Sequence, residues 1–72
     1  MKPAIQKTAI VKNAQIGDDT KIWEFANIYE CKIGFNCNIG SYVEIQPNVT
    51  IGSNVTISSH SFICSLVHIE DD

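Results

Sequence analysis

The side chains best suited to chemistry in this 72-residue chain are few. They are two histidines (His60, His68), three cysteines (Cys31, Cys37, Cys64) and a terminal acid group, Glu70-Asp71-Asp72. An imidazole exchanges a proton near neutral pH, so a histidine held against a nucleophile can serve as its general base. A cysteine binds metal only where further ligands face the same way. His60 is the strongest candidate. Stepping back from it by 18 and then 17 residues reaches Tyr42 and Phe25, and the same steps from Ser59 reach Ser41 and Glu24. That spacing carries chemistry only if the fold stacks these positions.

The rest of the chain says that it does. Isoleucine recurs at every sixth residue from Ile33 through Ile39, Ile45, Ile51, Ile57 and Ile63 to Ile69. Upstream the ladder continues through Ile10, Ile16, Ile22 and Ile28, with a single five-residue step from Ile28 to Ile33. Ile5 lies off the ladder or at its frayed edge. A helix repeats its apolar face about every 3.6 residues and a strand every 2, so a period of six fits neither. It fits a solenoid with one flat rung per hexapeptide. Two residues before each ladder isoleucine stands a small or β-branched residue: Thr8, Ala14, Thr20, Ala26, Cys31, Cys37, Val43, Val49, Val55, Ser61 and Val67. Residues two apart on a strand share a side, so each rung points one isoleucine and one small residue inward. The short step drops a corner residue and spares the core.

Every third corner repeats: Gly17-Asp18-Asp19, Gly34-Phe35-Asn36, Gly52-Ser53-Asn54 and Glu70-Asp71-Asp72. Gly, Asn and Asp tolerate positive φ at tight bends. Three rungs per coil follow, with about four coils. The expected fold is all-β, a single-stranded parallel β-helix forming one domain over residues 1–72. The ladder runs to the last residue without a cap. We expect a truncated solenoid that lacks its C-terminal coils.

On that frame Phe25, Tyr42 and His60 form an outward column, with Glu24, Ser41 and Ser59 beside it. Trp23, Phe25, Tyr29, Tyr42 and Phe62 fall outside both inward registers, and exposed aromatics of this kind mark contact surfaces. Either they meet other copies of the chain or they stack on a sugar or base. Cys31 and Cys37 take inward positions on different faces and read as small buried hydrophobes, with no metal site. Cys64 is the expected exposed thiol. Asn48-Val-Thr and Asn54-Val-Thr match glycosylation acceptors but read as turn asparagines of the repeat. His68 points outward with no assigned role.

Net charge is −3 and no basic cluster is present, so nucleic acid and anionic membrane are poor partners. No apolar run approaches the roughly 20 residues of a membrane span. The N-terminus lacks the apolar core of a signal peptide, and the three cysteines are an odd number with no disulfide-like spacing. These features predict a cytoplasmic protein.

The repeat resembles the left-handed β-helix of hexapeptide-repeat acyltransferases, and the resemblance covers about Thr8 to Asp72. The stretch Ile16-Gly-Asp-Asp-Thr-Lys-Ile-Trp-Glu-Phe is similar to the opening of bacterial N-acetyltransferases that act on nucleotide-linked 3-amino sugars. The segment from Ile39-Gly-Ser-Tyr-Val-Glu-Ile through Ile57-Ser-Ser-His-Ser-Phe-Ile-Cys continues that likeness. The resemblance implies a left-handed helix, a homotrimer with sites between subunits, acetyl-CoA as co-substrate and a nucleotide sugar as acceptor. Family enzymes continue for several more coils that build much of the CoA site, so the residues that hold CoA are not assigned. His60 becomes the candidate base for the attacking amine, with Glu24, Tyr42 and Ser59 as candidate substrate contacts. The alternatives stay open: His60 as an interface histidine, and the chain as a non-catalytic trimerisation module.

Overall fold

The computed structural model describes residues 2–71 and contains twelve short strands, all paired in parallel. They are β1 (Ala4–Ile5), β2 (Ile10–Lys12), β3 (Gln15–Ile16), β4 (Lys21–Ile22), β5 (Asn27–Tyr29) and β6 (Lys32–Ile33), followed by β7 (Asn38–Ile39), β8 (Glu44–Ile45), β9 (Thr50–Ile51), β10 (Thr56–Ile57), β11 (Phe62–Ile63) and β12 (His68–Ile69). Each strand pairs with the strand three further along the chain. Three four-stranded walls result: β1-β4-β7-β10, β2-β5-β8-β11 and β3-β6-β9-β12. The chain is thus a β-helix of about four coils with three rungs each. It fills a prism of 26 × 22 × 21 Å.

The inward register explains the core. Ile22 pairs with Ile39 and Ile39 with Ile57 on the first wall. Ile28, Ile45 and Ile63 align on the second, and Ile16, Ile33, Ile51 and Ile69 on the third. The small partners Ala26, Cys31, Cys37, Val43, Val49 and Val55 are buried between them. Stacking identical β-branched side chains one strand spacing apart buries each one against copies above and below. Ile28, Ile39 and Ile45 are fully buried in the two central coils.

The first coil departs from the expected register. Val11, and not Ile10, is opposite Ile28, while Ile10 is opposite the outward Asn27 and is exposed. Ala9 and Val11 pack against the core, so Thr8 and Ile10 do not hold the inward positions expected for them. Thr8 sits instead on a corner, where its Oγ1 accepts a hydrogen bond from the Phe25 amide at 3.2 Å. Ile5 pairs with Ile22 and so belongs to the ladder, exposed at its edge. The cause is a second short corner. Val11 to Ile16 is also a five-residue step, at the same prism edge as Ile28 to Ile33. The two shortened corners then stack, with the Glu30 amide donating to the Lys12 carbonyl at 2.8 Å. A six-residue step from Ile10 would have set a full corner under a short one.

Corner chemistry divides in two. Except at Thr8, the residue just before each inward small position takes positive φ: Asp19, Asn36 and Asn54 on one edge, Asn13, Glu30, Asn48 and Leu66 on another, Phe25, Tyr42 and His60 on the third. Asn48 and Asn54 are therefore turn asparagines. No described glycine has positive φ. Glycine is needed for close approach instead: a Cβ on Gly17 would lie 2.7 Å from the Gly34 carbonyl carbon and the Phe35 nitrogen of the coil above. Inside the same edge, Thr20 Oγ1 donates to the Gly34 carbonyl at 2.7 Å and Cys37 Sγ to the Gly52 carbonyl at 3.1 Å. Among the described residues no buried side-chain nitrogen or oxygen lacks a partner. Asp71 Oδ1 accepts from the Ser53 amide at 2.7 Å, and Asp72 lies outside the described residues.

The three thiols separate as their positions require. Cys31 and Cys37 are buried and Cys64 is exposed. Burial pushes the Cys31 thiol up from 9.0 to about 11. A thiol-reactive probe at pH 8 is expected to label Cys64 first, and Cys31 and Cys37 only on unfolding. Three equal rates would contradict the inward register. A raised folded pKa also sets a sign: stability is full below 9.0 and falls as pH rises to about 11, because the unfolded chain loses this proton first. The drop in urea midpoint across that window should be smaller in Cys31→Val than in the parent.

Candidate functional site

The chemistry-bearing residues collect on the prism edge between the first and second walls. Strands β4, β7 and β10 run into this edge and β5, β8 and β11 leave it. Its three described corners with positive φ are Trp23-Glu24-Phe25, Gly40-Ser41-Tyr42 and Ser58-Ser59-His60. Backbone bonds hold the corners in register. The Tyr42 amide donates to the Glu24 carbonyl at 3.1 Å and the His60 amide to the Ser41 carbonyl at 2.9 Å.

The rings above these bonds stack. Phe25 and Tyr42 have centroids 5.2 Å apart with planes 19° from parallel. Tyr42 and His60 are 5.0 Å apart at 10°. The column expected from the sequence is present, and it constrains the roles. Both faces of Tyr42 are covered, so a substrate would meet its edge and hydroxyl. One face of the His60 imidazole is covered by Tyr42, and the residue as a whole is exposed. Glu24, Ser41 and Ser59 form the neighbouring column, with Glu24 and Ser59 exposed.

A shallow open depression of about 400 Å³ adjoins this edge on the first wall. Trp23, Asn38, Gly40, Thr56, Ser58 and Ser59 contribute to its lining. The Trp23 indole Nε1–H donates to Asn38 Oδ1 at 3.2 Å, which lays the indole along the wall. The structure thus brings Ser59 and Trp23 to the depression and places His60 and Tyr42 on the ridge beside it. Glu24 lies lower on the edge and outside the lining.

Gly40 and Asn38 are site residues that sequence reasoning missed. A Cβ on Gly40 would lie 2.7 Å from the Ser59 nitrogen and 2.9 Å from its Cα, so only glycine lets the Ser59-His60 corner sit this close. The signal was available: three of the four glycines share one edge, and Gly40 alone is on this one. A second depression of about 390 Å³ lies where the short corners meet the third wall, with Asn13, Glu30, Lys32 and Asn48 in its rim. Cys31 contributes to its lining, but His60, Glu24, Tyr42 and Ser59 do not. Among the described residues no three of His, Cys, Asp and Glu stand together as a metal-ligand set.

The family model described as bacterial transferase hexapeptide (six repeats) matches residues 30–65, half of the chain. The matched span takes in the upper two corners of the candidate edge. No curated protein matches the chain. The chain belongs to the bacterial transferase hexapeptide family, and membership suggests an acyltransferase-like or a structural β-helical role.

Proposed function

From this membership we propose that the chain is part of a cytoplasmic acetyltransferase that works as a homotrimer. It moves the acetyl group of acetyl-CoA to an amino group of a nucleotide-linked amino sugar. The observation that carries the reading is His60: an exposed histidine, covered on one face by Tyr42, beside a depression that the Trp23 indole, the Asn38 amide and the hydroxyls of Thr56, Ser58 and Ser59 line. The depression suits the polar surface of a sugar. Its hydroxyls on Thr56, Ser58 and Ser59 and the Asn38 amide offer both donors and acceptors. The resemblance of residues 16–25 and 39–64 to sugar N-acetyltransferases narrows the acceptor to a 3-amino sugar.

The chemistry asked of His60 is one proton transfer in each direction. The acceptor amine attacks the thioester carbonyl, forming the C–N bond. His60 takes the proton that the nitrogen sheds. As the tetrahedral adduct collapses, the C–S bond breaks and the departing sulfur takes the proton back as a thiol. Holding amine and thioester together supplies much of the rate, and the base adds a further factor of about 10²–10⁴.

The direct test follows release of CoA thiol from acetyl-CoA with nucleotide-linked 3-amino sugars as acceptors. Thiol release that requires the acceptor supports the proposal. A rate equal to the enzyme-free blank with every such acceptor contradicts it.

A structural role has its own support. Trp23, Phe25, Tyr42 and Phe62 are all exposed around one edge of a single chain. Apolar area of this kind is usually covered by a partner surface. An assembly that forms on this face but neither binds nor turns over acetyl-CoA would favour the module.

A further inference from the structure

The corner that carries His60 is built from the wrong residues for a corner. Phe25, Tyr42 and His60 have φ of 60°, 60° and 66°. On the other edges the equivalent positions are Asn13, Asp19, Asn36, Asn48 and Asn54, with Glu30 and Leu66 the departures among the described residues. Asn, Asp and His suit the left-handed region, whereas bulky side chains such as Phe25 and Tyr42 are outliers there. Such strain costs about 1–3 kcal/mol per residue. Each stacked ring pair returns about 0.5–1.5 kcal/mol. The two stacks are of the same size as the strain at Phe25 and Tyr42 or smaller, so an asparagine at either corner would serve the stability of the single chain about as well. Stability of the single chain does not account for the rings.

What the rings do supply is orientation. The His60 amide is bonded to the Ser41 carbonyl at 2.9 Å, which fixes where the side chain starts. The Tyr42 ring, 10° from parallel, fixes the plane in which it ends. Phe25 supports Tyr42 from the coil below. Without the stack, an exposed histidine on a corner samples several rotamers.

We infer that Tyr42 is a positioning residue for His60: the face of its ring holds the imidazole in one plane, so that its rim meets the acceptor amine in one orientation. The inference rests on the reading of His60 as the general base. It assigns the function to the ring face and none to the hydroxyl.

The test compares Tyr42→Asn with Tyr42→Phe in the trimeric chain. Asparagine matches the corner residues Asn36 and Asn54, so Tyr42→Asn is expected to fold at least as stably as the parent. Tyr42→Asp, matching Asp19, stands in if it does not. In Tyr42→Asn the His60 ring protons should lose the upfield ring-current shift in NMR spectra that stacking imposes. Its kcat should fall about 10- to 100-fold, the scale of a misplaced reacting group. KM for both substrates should stay within about twofold, since a base acts in the transition state. Tyr42→Phe should restore both the shift and most of kcat. A Tyr42→Asn variant that loses the shift but keeps kcat overturns the inference while leaving His60 as the base. So does a Tyr42→Phe variant as slow as Tyr42→Asn. A His60→Ala variant with unchanged rate removes the base reading and this inference with it.

Discussion

Ile39→Ala is expected to destabilise the chain by about 2–5 kcal/mol. Ile39 is fully buried and paired on both sides, to Ile22 below and Ile57 above. In a solenoid each rung contacts only its neighbours, so stability is a sum of coil and interface contributions. Truncating a central rung weakens the interfaces on both sides at once. A domain of this length holds roughly 4–11 kcal/mol in total, at 0.05–0.15 kcal/mol per residue. The loss is therefore a large share of the whole. Ile39→Val keeps the β-branch and should cost about 0.5–1.5 kcal/mol. Ile63→Ala, on a half-buried rung, should fall between these two. Urea unfolding at one fixed protein concentration checks the order, since assembly makes stability concentration-dependent. An Ile39→Ala midpoint equal to the parent's would mean that the isoleucine stack is not the core.

His60→Ala is expected to lower acetyl transfer by about 10²–10⁴-fold, the range for loss of a positioned base. The effect should lie in kcat more than in KM, because the proton moves only as the amine attacks. The fold should survive. The His60 side chain is exposed, and the hydrogen bond from its amide to the Ser41 carbonyl does not involve the imidazole. Replacing histidine at φ 66° by alanine puts a less suited residue at the bend but loses little buried area. Steady-state kinetics beside a circular dichroism melt separate the two effects. A full rate in His60→Ala would leave the amine to lose its proton to another group or to water.

The central two coils were legible in the sequence because two registers agree at every rung. An isoleucine and a small residue two positions earlier fix the face, the period and the inner width together. The first coil was less legible because Ile10 and Val11 are both residue types that suit an inward position, and only Val11 takes it. What decides between them is a contact between coils, the stacking of the Lys12-Asn13 corner on Tyr29-Glu30, which no local pattern contains. Glycine misled in a similar way. Its tolerance of positive φ is a local property, whereas its use at Gly17 and Gly40 is a distance to the next coil.

The candidate edge was legible as a list of positions and not as geometry. Counting three rungs per coil placed Phe25, Tyr42 and His60 in one column and Cys64 outside the core. It could not show that the rings lie nearly parallel, or that stacking closes both faces of Tyr42. Nor did it single out Phe35, an exposed aromatic on a different edge. Side-chain planes depend on rotamers set by neighbours one coil away.

The most direct test of the account is native mass spectrometry of the chain with and without acetyl-CoA. The account predicts a species of three chains that gains the mass of acetyl-CoA when the thioester is added. A monomer would contradict it, and a trimer that never gains that mass would mean a scaffold or a truncated enzyme in place of a working acetyltransferase.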